Sequence, residues 1–196
     1  MNLKDIANEM KSILSEASQS HEVLTKYPWE NDVYYSELFR WGHVEFYQYR
    51  TADIVHCVIM PHPHDSAGIF GFDVIEINGT RTGLFIDVTP TIGGYVKFTD
   101  KDLGEPRPLP EWAKFSESFI AVKPFDDGPQ EGLNIMKRYL EGLQKDFGEP
   151  EKILEAQQRY VEMQRNNDKT FKMLVAHVGE EMANEFMTKV MFPDVH

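Results

Sequence analysis

Ile69-Phe-Gly-Phe-Asp73-Val-Ile-Glu-Ile77-Asn78-Gly79-Thr80-Arg-Thr82-Gly-Leu-Phe-Ile-Asp87-Val88 decides the fold class. Two runs rich in Ile, Val and Phe flank an Asn-Gly pair. Such a pair supplies the positive-φ positions of a two-residue hairpin turn. The spacing predicts strands over Ile69–Ile77 and Thr82–Val88, with two more upstream over Leu38–Tyr49 and Asp53–Met60. Short connections between successive strands imply an antiparallel meander, and Ser118–Val122 adds one further strand. Outside this block the apolar residues recur at helical spacing. Leu3, Ile6, Met10, Ile13 and Leu14 mark a helix over 2–17, and Glu131–Phe147, Lys152–Gln164 and Gly179–Val190 follow near the end. Tyr27–Asp32 reads as a turn-rich bridge, and residues 91–116, with prolines at 106, 108 and 110, as irregular chain. Helices at both ends and strands between them give an α+β fold, with helices packed on both faces of the sheet. No repeat or linker divides residues 1–196, so a single domain is expected.

The bulk numbers narrow the function. A net charge of −12 disfavours binding to a phosphate backbone. No apolar run is long enough to cross a bilayer, and the start reads as an amphipathic helix, not as a signal or transit peptide. Cys57, the single cysteine, has no partner for an internal disulfide, which points to a reducing, cytoplasmic setting. Gly93-Gly94 makes neither a dinucleotide fingerprint nor a P-loop, which argues against the common nucleotide cofactors.

Three of the strands carry polar side chains among apolar ones. His43 and Glu45 share a face by the period of two; His56 lies within Ile54–Ile59, and Asp73 within Ile69–Ile75. Burying a lone carboxylate costs several kcal/mol unless it is paired or protonated. Taken singly, each fits a solvent-facing or satisfied core position; three in neighbouring strands point to a shared site. An acid, a histidine and a second acid around an apolar pocket make a proton-delivery set. Alternation sends Cys57 to the face opposite His56, so no Cys–His dyad is expected. His62-Pro-His64-Asp65 has the look of a metal cluster, but it lies in a loop without CxxC or HExxH companions. A metalloprotein using His56, His62, His64 and Asp65 stays open on these residues alone.

Several segments, in order, resemble the ferredoxin-dependent bilin reductases, most of all their phycocyanobilin-forming branch. They are His43-Val-Glu45, Asp53-Ile-Val-His56-Cys-Val-Ile-Met-Pro61, Ile69-Phe-Gly-Phe-Asp73, Ile86-Asp-Val-Thr-Pro90, Arg107-Pro-Leu-Pro-Glu-Trp-Ala-Lys-Phe-Ser116, Asn166-Asn-Asp-Lys-Thr170 and Phe186-Met-Thr-Lys-Val-Met-Phe192. The resemblance implies a three-layer α/β/α sandwich around an antiparallel sheet. It implies reduction of biliverdin IXα to a phycobilin, phycocyanobilin or phycoerythrobilin, through bilin radicals. No cofactor is then held by the enzyme itself. Electrons come singly from an external reduced 2Fe-2S ferredoxin.

Roles follow by resemblance. Asp73 protonates the bilin, His56 is its hydrogen-bonded partner, and Glu45 serves the D-ring vinyl group, with Asp168 a further catalytic acid. His43, Asn167, Thr82 and Met173 are expected substrate contacts. Arg107 and Lys169 are expected to hold the propionates, to which a guanidinium fork and a point charge are suited. Lys114, Lys123, Lys169 and Lys172 would form a local basic face for an acidic ferredoxin, since salt confines the field of the remaining charge to about 8 Å. The protein would act as a monomer. A bilin carrier without turnover is the rival reading, although a carrier needs only the pocket and the cations.

Overall fold

A computed structural model describes residues 1–89, 120–122, 127–143 and 149–195, the strand at 120–122 by its backbone. The elements are α1 (Leu3–Ala17), β1 (Ser20–Val23), β2 (Glu30–Tyr35), β3 (Phe39–Tyr49), β4 (Ala52–Pro61), β5 (Ile69–Ile77), β6 (Thr80–Thr89), β7 (Ile120–Val122), α2 (Gly128–Glu141), α3 (Pro150–Arg165), α4 (Asp168–Val178) and α5 (Glu180–Phe186), which runs into a π-helical turn at Met187–Met191. The seven strands form one antiparallel meander in chain order. The expected hairpin is present: Ile77 pairs with Thr80 across Asn78 and Gly79, at φ 53° and 72°. Positive φ at both positions is the type I′ pattern, which matches the twist of the flanking strands.

Strand alternation builds two cores. One face of the sheet turns Val44, Phe46, Val55, Cys57, Phe70, Phe72 and Ile86 towards α1 and α2. The other turns Val33, Tyr47, Val58, Met60 and Ile69 towards residues of α3, α4, α5 and the π-helical turn. This is the three-layer α/β/α sandwich. α1 packs because Leu3, Ile6, Met10, Ile13 and Leu14 are buried on one stripe, and the Asn2 side chain caps it by accepting from the Asp5 amide at 2.8 Å.

The structure departs from the sequence expectation in three places. β1 precedes the expected bridge Tyr27–Asp32, and the bridge itself holds the first half of β2. Asn31 and Asp32 look like turn residues, but they are buried in β2 because Asn31 meets His43 and Lys11 reaches Asp32 at 2.5 Å. α2 begins at Gly128 and ends at Glu141, short of the expected Phe147, with Gly142 at its C-cap. α4, not expected as a separate element, buries Leu174 alone, so its sequence carries little helical periodicity. The irregular segment 91–116, with Arg107, Trp112 and Lys114, lies outside the described residues, as does Lys123.

Candidate active site

On the face turned to α3 and α4, the strand register lines up four residues from adjacent strands. Asn31 pairs with Glu45, Glu45 with His56, and His56 with Asp73, on β2, β3, β4 and β5 in turn. Cross-strand partners have Cβ atoms about 4.5–5.5 Å apart, so the meander sets Glu45, His56 and Asp73 side by side without any loop. A pocket of about 240 Å³ opens above this row. Glu45, Ile54, His56, Gly71, Asp73, Ile75, Phe85 and Asp87 line it from the sheet, and Tyr160, Gln164, Asn167, Lys169, Thr170 and Met173 from α3 and α4. Met191 and Phe192 close one side.

His56 Nδ1 lies 2.7 Å from Asp73 Oδ1. Burial pulls the His56 pKa down, but the charge and hydrogen bond of Asp73, helped by Glu45, outweigh it and leave it above the ordinary value. Glu45 is pushed up to about 7, chiefly by burial and further by Asp73, against the opposing pull of His56 and the Trp29 hydrogen bond. A carboxyl at that value can hold and release a proton near neutrality. His43 is fully buried and held well below its ordinary pKa, by burial first and then by the charge of His56, whose ring centroid is 5.9 Å away. The set therefore joins a neutral imidazole, a protonatable imidazole and two carboxyl groups within one wall.

The remaining expected residues divide. Asn167, Lys169 and Met173 line the pocket. Asn167 also caps α4, its side chain accepting from the Lys169 amide at 3.2 Å. His43 lies behind the lining, next to His56. Asp168 is not in the wall: its carboxylate is 83% exposed and meets Lys172 at 3.0 Å, outside the pocket lining. Thr82 is exposed near the hairpin end of β6, away from the lining, its hydroxyl near the Ile75 carbonyl. Arg107 lies outside the described residues. His62 meets the Ser36 carbonyl at 2.9 Å and stacks on His64, while Asp65 accepts from the Ala67 amide. These side chains are thus engaged in loop contacts, and among the described residues no three His, Cys, Asp or Glu side chains gather to hold an ion.

Sequence reasoning missed Asp87, Tyr160 and Gln164. Asp87 was detectable, since it sits at a strand position two residues from Phe85 with the same inward parity. Tyr160 and Gln164, four apart on α3, carry no signal that distinguishes them from ordinary helix residues. Burial holds the Tyr160 hydroxyl far above its ordinary pKa, Asp87 and Asp73 adding to it, while a hydrogen bond from Gln164 works the other way.

The family model for ferredoxin-dependent bilin reductase matches residues 2–193. The chain belongs to that family. This bilin reductase is 30% identical over 187 residues to a phycocyanobilin:ferredoxin oxidoreductase of a Synechococcus species, covering 83% of this chain and 75% of the relative. It is 29% identical over 184 residues to the protein of the same name from Trichodesmium erythraeum, with the same coverage. Among solved structures, that of PcyX matches with a TM-score of 0.68 at 18% identity over the whole of both chains. Tomato phytochromobilin synthase, solved in complex with biliverdin, matches with a TM-score of 0.65 at 13% identity, covering 96% of this chain and 82% of the other. At those identities the two structures support the sandwich fold alone. The reductase is thus an enzyme whose electrons come from ferredoxin. Among its described residues no helix is long and apolar enough to cross a membrane.

Proposed function

We propose that this reductase converts biliverdin IXα to phycocyanobilin by single-electron transfers from reduced 2Fe-2S ferredoxin, each coupled to a proton from the pocket wall. The observation that carries the reading is the row Glu45–His56–Asp73, three proton-handling side chains fixed side by side by strand register beneath a mostly apolar pocket. A conjugated tetrapyrrole can take up electrons one at a time when each added charge is neutralised. A wall that delivers protons at chosen places then decides which double bond is reduced.

Asp73 and His56 act as one unit. The carboxylate holds the imidazole, and their shared proton serves the bilin's central region. Glu45, whose raised pKa keeps a substantial protonated fraction near neutrality, delivers to the vinyl-bearing end. Lys169 at the rim, together with Arg107, takes the propionates; Asn167 and Met173 complete the helical side. Ferredoxin docks over the pocket mouth near Lys169 and Lys172. The protein works as a cytoplasmic monomer, and its single domain is supported by the continuous sheet and a family match over nearly the whole chain.

The test is an anaerobic assay with biliverdin IXα, ferredoxin and ferredoxin reductase, followed in the visible spectrum with products separated by chromatography. Consumption through a transient radical absorbance, ending in phycocyanobilin, is expected. Phycoerythrobilin as the end product would overturn the product assignment, and tight binding with an unchanging spectrum would overturn the reaction itself.

A further inference from the structure

Trp29, just before β2, and Asn31, on it, take no part in the roles above, yet they touch the site. The Trp29 indole Nε1–H donates to Glu45 Oε2 at 3.1 Å. The main-chain carbonyl of Trp29 accepts from Asn31 Nδ2 at 3.0 Å. That contact fixes the Asn31 amide with its nitrogen towards Trp29, so its oxygen faces His43 Nε2, 3.3 Å away. An amide oxygen only accepts; His43 therefore carries its proton on Nε2 and keeps a lone pair on Nδ1. The indole itself cannot swing. Its ring is 6% exposed and meets Tyr47 and Phe186 edge to face, each at 4.9 Å, with His177 at 5.3 Å.

We infer that Trp29 and Asn31 are positioning residues that aim the proton chemistry of Glu45 and His43. The inference rests on the functional reading proposed above. A protonated carboxyl has one hydroxyl and one carbonyl oxygen, and the carbonyl is the better acceptor. With Oε2 taking the indole N–H, the proton of neutral Glu45 sits on Oε1. In the step itself one electron passes from reduced ferredoxin to the bilin, the Oε1–H bond of Glu45 breaks and a C–H bond forms on the bilin. Glu45 is left as a carboxylate, steadied at Oε2 by the indole, and is reprotonated from solvent. Asn31 keeps the neighbouring imidazole in one tautomer, so His43 offers an acceptor to that proton traffic.

The test begins with Trp29→Phe, which keeps an aromatic ring and removes the N–H. Hydrogen bonds to charged groups are worth about 1.5–3 kcal/mol, roughly a 10- to 100-fold change. A fall in kcat of at least about tenfold is expected on that scale, with KM for biliverdin within about twofold. In a Glu45→Gln background the same substitution should cost nothing more, because the group it acts through is gone. Equal losses in both backgrounds would overturn the inference, as would a rise in KM at unchanged kcat. A second readout needs no Trp29 variant. In the wild type, the Trp29 indole proton resonance should shift as Glu45 titrates near pH 7, and this shift should vanish in Glu45→Gln. His56, Asp73, Asp87, Tyr160 and Lys169 share the pocket, and His177 faces the indole. A shift that survives in Glu45→Gln would assign the titration to one of those groups and sink the inference. Wild-type protein that binds biliverdin without reducing it would instead sink the functional reading.

Discussion

His56 Nδ1 and Asp73 Oδ1 stand 2.7 Å apart across a register pair of β4 and β5, with the Asp73 side chain 31% exposed and that of His56 10% exposed. Both side chains line the pocket, the acid being the more exposed of the two. In the proposed mechanism this pair shares the proton that reaches the bilin. Its geometry comes from main-chain pairing, so substitution of either side chain leaves the framework intact.

Asp73→Asn and His56→Gln are therefore expected to fold and to bind biliverdin while losing reduction. General acid catalysis contributes about 10²–10⁴-fold, and single-turnover rates under a ferredoxin-regenerating system should fall by that order. Bound pigment should also absorb differently in Asp73→Asn, because the proposed mechanism has Asp73 protonate the bilin. Wild-type rates in either variant would remove the pair from the mechanism.

Glu45 makes stability depend on pH. Its folded value of about 7 stands above the ordinary 4.5, burial being the main cause. Between those values the folded chain keeps a proton that the unfolded chain has released, so stability falls as pH rises through that window. At 1.36 kcal/mol per unit the total is about 3 kcal/mol, complete above about pH 7. Glu45→Gln carries no such term. Urea unfolding at pH 5 and pH 8 should show the variant gaining about that much on the wild type at the higher pH. His56, raised by Asp73 against the pull of burial, acts in the same direction: its contribution is present below the unfolded value and lost as pH rises through the folded one. An unchanged gap between wild type and Glu45→Gln would show that Glu45 titrates normally.

The row was legible in the sequence because strands write their faces plainly. His43, Glu45, His56 and Asp73 share inward parity, and Asn78-Gly79 fixes the hairpin that sets β5 against β6. β2 was not legible. Asn31 and Asp32 read as turn formers because their partners, His43 and Lys11, come from elsewhere in the chain. The helical side was the least legible. Asp168 and Lys169 are adjacent in sequence, and only the start of α4 at that point decides which of them meets the pocket. Helix caps and helix phase, unlike strand parity, shift with a single residue.

That phase yields a prediction for Asp168, which the family resemblance places among the catalytic acids. Its carboxylate is exposed and engaged with Lys172, and an exposed i,i+4 pair is worth about 0.3–0.5 kcal/mol. Asp168→Ala should keep at least about half of wild-type kcat, and the melting temperature should barely move. Lys169→Ala, on the lining, should raise KM for biliverdin by removing the ammonium proposed to meet a propionate. A collapse of kcat in Asp168→Ala would mean that α4 turns when the bilin binds.

Two glycines on or against β5 should respond in opposite ways to the same methyl group. Gly71 lies in the pocket wall, and a Cβ there would meet Asp87 Cβ at 3.6 Å and the Tyr160 hydroxyl at 3.7 Å, which are ordinary contacts. Gly71→Ala should therefore fold normally, whereas Gly71→Leu should fill the pocket and weaken biliverdin binding with little loss of stability. Gly132, in α2 on the far face, is different: a Cβ there would fall 2.1 Å from Phe72 Cζ, inside a ring with no exposed surface. Overpacking of this kind costs about 1–3 kcal/mol, against a helix-propensity gain for Gly→Ala of about 1 kcal/mol. Gly132→Ala should thus melt lower while the pigment-binding spectrum of the folded fraction is unchanged. Thermal melts and spectral titrations of the three variants separate the layers. Loss of binding in Gly132→Ala at full stability would show that the α1–α2 layer reaches through the sheet to the pocket.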